Sequence, residues 1–216
     1  MQISVLTLFP NLFRPYLEES ILRRAVQKKI IDVHIVDIRQ FATDKHNTAD
    51  DKPYGGGAGM VMKADIILRA FDEATKKDKI KPRVIMLSAA GDQFTNIKAK
   101  AYAKSKKHVV LIAGHYEGID ERVKIALKAE EISVGPYVLT GGELPALVIV
   151  DAIARQIVGV LGNQESVEEL RYGVGIPTYT RPEVVLYKKK KYTVPPELLS
   201  GDHKKIEEWR QRNRKK

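Results

Sequence analysis

Short runs of Val, Ile and Leu alternate along this chain with longer segments whose apolar residues recur at helical spacing. The runs at residues 3–9, 33–38, 84–87, 109–112 and 132–134 predict strands. Between them, Leu12, Phe13, Tyr16, Leu17, Leu22, Ala25 and Val26 follow a helical period, as do Ile67, Ala70, Phe71 and Ala74. Such alternation predicts an α/β domain with a mostly parallel sheet. Strands that are apolar along their whole length are expected to be covered on both faces. The most apolar helical segment, 142–158, carries Pro145 in its first turn, where a missing N–H is tolerated. After Glu143 its only charged residues are Asp151 and Arg155, an i,i+4 pair expected on one face that opens onto something polar.

The pattern changes after Gly162. Residues 163–175 are polar and acidic, with Glu165, Glu168 and Glu169, and predict a flexible linker. Beyond it, Lys188 to Lys191, Arg210, Arg212, Arg214, Lys215 and Lys216 make a strongly basic end. The boundaries expected from this reading are 1–160, 161–176 and 177–216. A length of 216 residues suits one core with a small appendage.

Composition narrows the classes. The absence of cysteine excludes disulfides, thiolate zinc sites and a cysteine nucleophile, and suits a reducing cytoplasm. The opening apolar run has no basic region before it and stops at Pro10, which predicts a buried strand rather than a signal peptide. The apolar stretch 144–153 is too short to span a bilayer, so a soluble protein without membrane partners is expected. Thirty-seven Lys and Arg against 27 acids give a net charge of +10, the footprint of a phosphate-backbone binder, although a merely basic soluble protein shares it.

Two glycine-bearing stretches follow short apolar runs: Ala113-Gly114-His115-Tyr116-Glu117-Gly118-Ile119-Asp120-Glu121-Arg122, and Ser133-Val134-Gly135-Pro136-Tyr137-Val138-Leu139-Thr140-Gly141-Gly142-Glu143-Leu144-Pro145. Loops of this kind at strand ends let backbone groups approach a ligand, and their closeness in sequence predicts one shared pocket. The glycines at 55–60 fit neither a Walker A loop nor a dinucleotide fingerprint and read by themselves as a surface turn. His34 is expected in a strand and His108 at a helix end, both structural. His115 lies in a candidate ligand loop, where a hydrogen-bonding role is the expectation.

These blocks, together with Leu8-Phe9-Pro10, Asp50-Asp51, Pro53-Tyr54-Gly55-Gly56-Gly57, Gly59-Met60, Tyr179-Thr180-Arg181-Pro182 and Leu198-Leu199-Ser200-Gly201, closely resemble the bacterial tRNA (guanine-N1)-methyltransferase family. The resemblance covers nearly the whole chain. It implies a mostly parallel α/β sheet with a C-terminal deep trefoil knot of the SPOUT type and a small, shortened helical C-terminal domain. It implies an S-adenosylmethionine-binding domain at 1–160, a linker at 161–176 and a basic tRNA-binding domain at 177–216. The implied reaction moves a methyl group from S-adenosylmethionine to N1 of guanosine 37, in the anticodon stem-loop of tRNA. DNA is not an expected partner. A cytoplasmic homodimer with a shared active site is implied, and magnesium is allowed for without a dedicated protein site.

The resemblance also assigns residues. Cofactor binding is expected from Leu87, Ser88, Gly114, Tyr116, Glu117, Val134, Gly135, Pro136, Tyr137, Val138, Leu139, Gly141, Gly142 and Pro145. Main-chain groups at Gly114 and across 134–139 would hold adenine and ribose, residues 87–91 would form a third wall, and Glu117 would balance a positive charge. The chemistry needs an acceptor for the N1 proton and a cation for charge developing on O6. Arg155 matches the family's cation. The family's aspartate base falls at Leu170, which cannot accept a proton, so Glu169 is the expected substitute and His115 a second candidate. Two other readings stay open: a donor- and tRNA-binding protein without its base, and a knotted enzyme acting at another RNA position.

Overall fold

In the computed structural model, which describes residues 1–162 and 175–214, strand β1 (Gln2–Thr7) is buried from Ile3 onward, because its alternate residues face two separate cores. Ile3 and Val5 join one cluster and Leu6 the other. Four further strands pair parallel with it or with one another: β2 (Asp32–Asp37), β5 (Arg83–Gln93), β6 (Val109–Ile112) and β7 (Glu130–Ser133). The sheet order is β2-β1-β6-β5-β7. Strands β6 and β7 therefore flank β5, and the chain reverses its course across the sheet between them. In open parallel sheets, ligands bind beyond the carboxyl ends of strands at such reversals.

Helices cover both faces, as the continuous apolar strands require. On one face α6 (Glu143–Ala154) packs Ala146, Ile149, Val150 and Ile153 over Ile3, Val5, Ile85 and Leu111, with Tyr102 of α4 (Asn96–Ser105) beside them. On the other, α3 (Ala64–Thr75) sets Ile66, Ile67 and Ala70 against Leu6, Val84, Val110 and Ile112, with Val123 of α5 (Glu121–Leu127). Each large aliphatic side chain removed from water in this way contributes about 1.5–3 kcal/mol. A small antiparallel pair, β3 (Asp50–Asp51) and β4 (Val61–Met62), brackets the glycines at 55–59.

Several elements differ from the sequence expectation. The helical period at 12–26 is broken into a 3-10 turn at Pro10–Leu12 and the helices α1 (Arg14–Leu17) and α2 (Ser20–Gln27), with Ser20 in a left-handed conformation (φ 52°) between the helices. Helix α6 stops at Ala154, where the amides of Gln156 and Ile157 turn back to the carbonyls of Ile153 and Ala154. His108 is not at a helix end. It enters β6, buried, with Nδ1 2.7 Å from Asp78 Oδ2 and Nε2 2.9 Å from Ser4 Oγ. Its structural reading stands, since both ring nitrogens are engaged in stapling β1 to β6 and the loop before β5.

The chain divides into two compact units, Met1–Leu161 and Gly162–Lys216. The second is not simply helical. It contains an antiparallel hairpin of β8 (Val184–Tyr187) and β9 (Lys190–Thr193), then α7 (Pro196–Leu199) and α8 (His203–Arg212). Asp202 caps α8 by accepting from the amides of Lys204 and Lys205, and buried Trp209 meets Tyr179 edge-on at 6.0 Å. Residues 163–174 of the expected 161–176 linker, Glu169 and Leu170 among them, lie outside the described residues. Among the described residues no helix is long and apolar enough to cross a membrane.

Removing one partner of a buried polar pair leaves the other unsatisfied at a cost of about 1–3 kcal/mol. Asp78→Ala is therefore expected to lower unfolding stability by that amount, read from urea denaturation, whereas an equal midpoint to wild type would show that His108 needs no partner there.

Candidate active site

Beyond the carboxyl ends of β5, β6 and β7, three loops enclose a cleft of about 330 Å³. The first leaves β5 at Leu87 and returns at Asp92; both residues register with Ile132 of β7, so residues 88–91 are looped out of the ladder. Gly91 allows this, because a Cβ there would lie 2.5 Å from the backbone of Glu131 and Ile132. The second loop runs from Gly114 through Tyr116, which is left-handed (φ 60°), to Asp120. The third follows β7, where the Ser133 hydroxyl donates to the Gly135 carbonyl at 2.8 Å.

Of the residues expected at the cofactor, Leu87, Ser88, Gly114, Tyr116, Glu117, Val134, Tyr137, Val138, Leu139, Gly141, Gly142 and Pro145 meet in the wall of this one cleft. Gly135 is buried and Pro136 exposed, and neither belongs to the wall. The structure adds Met86, Ile119 and Ile132 as apolar wall residues, and Thr140 at the third loop. Met86 and Ile132 carry no separate sequence signal, because strand periodicity marks them as core; both are buried, and their place near the strand ends sets them at the back of the cleft wall.

The glycines at 141 and 142 also bring two loops together. The Gly142 amide donates to the Gly114 carbonyl at 2.7 Å, and a Cβ on Gly142 would lie 2.7 Å from both Ala113 Cα and the Gly114 nitrogen. Close approach is made to the second loop's own backbone. Directly after this contact, Glu143 starts α6 with its carboxylate buried. Placement at a helix N-terminus favours the charge. The Thr7 hydroxyl donates to Glu143 Oε1 at 2.9 Å, and His115 Nδ1 lies 3.7 Å from Oε2. The His115 ring is held between Phe9, at 4.8 Å between centroids, and Tyr116, edge-on at 4.9 Å.

The 55–60 turn is more than a surface feature. Its far end is bonded into the second loop, the Glu117 amide donating to the Met60 carbonyl at 3.0 Å and the Met62 amide to the Gly118 carbonyl at 2.9 Å. Gly59 faces the Glu117 side chain with no room for a Cβ, while Gly55 and Gly56 stand in open space. At the other end of the second loop Asp120 caps α5, and the Arg122 guanidinium, 2.6 Å away, holds its carboxyl below the ordinary aspartate range.

Arg155 lies elsewhere. Ten residues of nearly continuous helix separate it from Pro145 in the cleft wall, about 15 Å at 1.5 Å per residue. It is linked to Asp151 through the backbone, its amide donating to the Asp151 carbonyl at 3.0 Å, while the Asp151 carboxylate accepts from the Tyr16 hydroxyl at 2.6 Å. That hydrogen bond is the main reason the Tyr16 hydroxyl is harder to ionise than usual.

Fold and cleft together define the class: an open parallel α/β protein with a loop-walled cleft beyond the carboxyl ends of its strands. Residues 1–216 match the family described as tRNA (Guanine-1)-methyltransferase TrmD, and the chain belongs to that family. It is 50% identical over 215 residues to the tRNA (guanine-N(1)-)-methyltransferase of Anoxybacillus flavithermus, covering 98% of this chain and 86% of the relative. The enzymes of the same name from Carboxydothermus hydrogenoformans (48% identical, 98% and 82% covered) and Bacillus subtilis (47%, 97% and 86%) match similarly.

Because the Gly142 site has backbone on both sides, Gly142→Ala must push the two loops apart. Overpacking of this kind costs about 1–3 kcal/mol. A lowered thermal midpoint with weakened binding of S-adenosylhomocysteine by calorimetry is expected, and unchanged values in both would show that the two loops separate freely.

Proposed function

We propose that the protein methylates N1 of guanosine 37 in tRNA, using S-adenosylmethionine as donor in the cleft at the ends of β5, β6 and β7. The observation that carries this reading is the family match over residues 1–216, on a chain whose three loops converge on one cleft. The relatives' names favour an enzyme over a binding protein that has lost its base. The cleft suits the donor in its chemistry: an apolar floor for a purine, main-chain donors and acceptors on three loops, and the exposed Glu117 carboxylate for a cation. When bound, the donor supplies a sulfonium methyl group, which N1 takes as its proton passes to a base.

The protein's own task is to orient the guanine, receive that proton and balance charge on O6. Arg155 is assigned the O6 charge and Glu169 the proton, with His115 in the cleft wall as the second proton acceptor. Because about 15 Å of helix separates Arg155 from the cleft of its own chain, the reading also includes a homodimer in which each copy completes the other's site. Leu144 and Val148, exposed one turn apart on α6, with Leu12 and Tyr16 also exposed, provide apolar surface for a second copy. The approach of Gly142 to Ala113 and Gly114 is taken as the crossing of the trefoil knot. Among the described residues no group of three or more His, Cys, Asp or Glu side chains could hold a metal ion, so magnesium is assigned to the RNA. The first unit is assigned to the donor, the second to tRNA, and the compartment to the cytoplasm.

Purified protein with labelled donor is expected to methylate a transcript carrying guanosine at 36 and 37, and not one with adenosine at 37. Donor binding without transfer would sink the reading. Removing one charge-stabilising donor typically costs about 10²–10³ in turnover. Arg155→Ala should show a loss of that size at saturating tRNA, and Glu169→Ala with undiminished turnover would return the proton to His115.

A further inference from the structure

The hairpin of the second unit places lysine where the backbone least favours it. Tyr187 and Lys190 are directly paired, so the turn between them consists of Lys188 and Lys189 alone. Both have positive φ, 47° and 64°. A two-residue turn with both central residues left-handed is the one for which Asn-Gly is strongly preferred, since side chains beyond Cβ add strain there. The four consecutive lysines, 188 to 191, nevertheless occupy the turn and the start of β9, and every one is exposed.

What surrounds them is equally unusual for a surface. Tyr187, Lys190 and Tyr192 share one face, because Tyr187 registers with Lys190 and Tyr192 follows two residues on. The Lys188 ammonium stands 5.4 Å from the Tyr187 ring centroid and the Lys190 ammonium 5.4 Å from that of Tyr192. Both rings are half or more exposed, at 60% and 50%. From Arg181 to Thr193 the chain carries five cations against one carboxylate, Glu183. Exposed rings interleaved with cations form a surface suited to phosphates and unstacked bases, since rings accept base stacking and lysines replace counterions.

We propose that this hairpin tip is a contact site for the sugar-phosphate backbone of tRNA, with Lys188 and Lys189 held against backbone preference for their charge, and Tyr187 and Tyr192 offered to bases or riboses. The inference rests on the tRNA-methylating function proposed above, and it assigns part of substrate capture to a point in the second unit rather than to the cleft. It separates charge from stability in an unusual way. Replacing the two turn lysines with the residues the turn prefers should improve the hairpin while weakening the RNA contact.

The test is Lys188→Asn with Lys189→Gly in the full-length protein, using unmodified tRNA transcript in filter binding from 50 to 300 mM salt. Each lost phosphate contact lowers the slope of log affinity against log salt by about 0.7–0.9. The double variant should lose about 1.4–1.8 from the slope and raise the tRNA KM, with turnover at saturating tRNA unchanged and a thermal midpoint no lower than wild type. Lys76→Gln with Lys77→Gln, directly after α3 in the first unit and outside the cleft lining, removes the same charge as a control and should leave slope and KM as in wild type. An unchanged slope in the hairpin variant, or an equal loss in the control, overturns the proposal. So does hairpin-dependent binding to phosphatidylserine vesicles with tRNA affinity unaltered. Failure of wild type to transfer a methyl group would instead remove the function itself, and is read separately.

Discussion

The backbone contact between Gly142 and Gly114 is the constraint on which the cleft depends. Two loops from strands on either side of β5 approach so closely that only glycine fits at 142, and one short hydrogen bond holds them. The geometry of everything nearby follows. Glu143, the next residue, is carried into the interior, where Thr7 and the helix terminus satisfy its charge. His115 and Gly141 are bridged as a consequence, which fixes the second loop in the cleft wall. The third loop and the start of α6 are then parts of a single rigid corner.

The first unit thus concentrates polar atoms in two places with different purposes. At the strand starts, Ser4, His108 and Asp78 form a closed set that ties β1, β6 and the approach to β5. At the strand ends, polar residues and glycines of three loops meet in the wall of a cleft. Glycine contacts and the backbone bonds of the 55–60 turn tie these loops to one another. Ionisable and hydroxyl side chains also line the cleft, among them His115, Tyr116, Glu117, Glu121, Glu131 and Tyr137.

Much of this was legible in the sequence, for identifiable reasons. Strand β6 coincides with its apolar run, 109–112, because it is central and buried on both faces, so every residue carries the signal. Strand β5 was read too short, since the residues after Leu87 are partly exposed and looped, and a bulge has no period. The cleft glycines are legible too, but sequence marks where a side chain is forbidden and says nothing of whether a ligand or another strand of backbone takes the space. The hairpin at 184–193 went unseen because four lysines stand where turn residues are expected. The distance of Arg155 from the cleft could not be read either, since a resemblance transfers a residue's role without its position.

The Thr7–Glu143 bond joins residues 136 positions apart, and β1 lies between β2 and β6 in the middle of the sheet. Synthesis from the amino end therefore delivers the first strand long before the helix that completes its surroundings. A nascent chain has all five sheet strands once residue 133 has emerged, but its cleft still lacks the corner that begins at Gly141. Until residue 141 has been added the cleft has no third-loop corner, so its walls close only after the sheet on which they stand is complete in sequence.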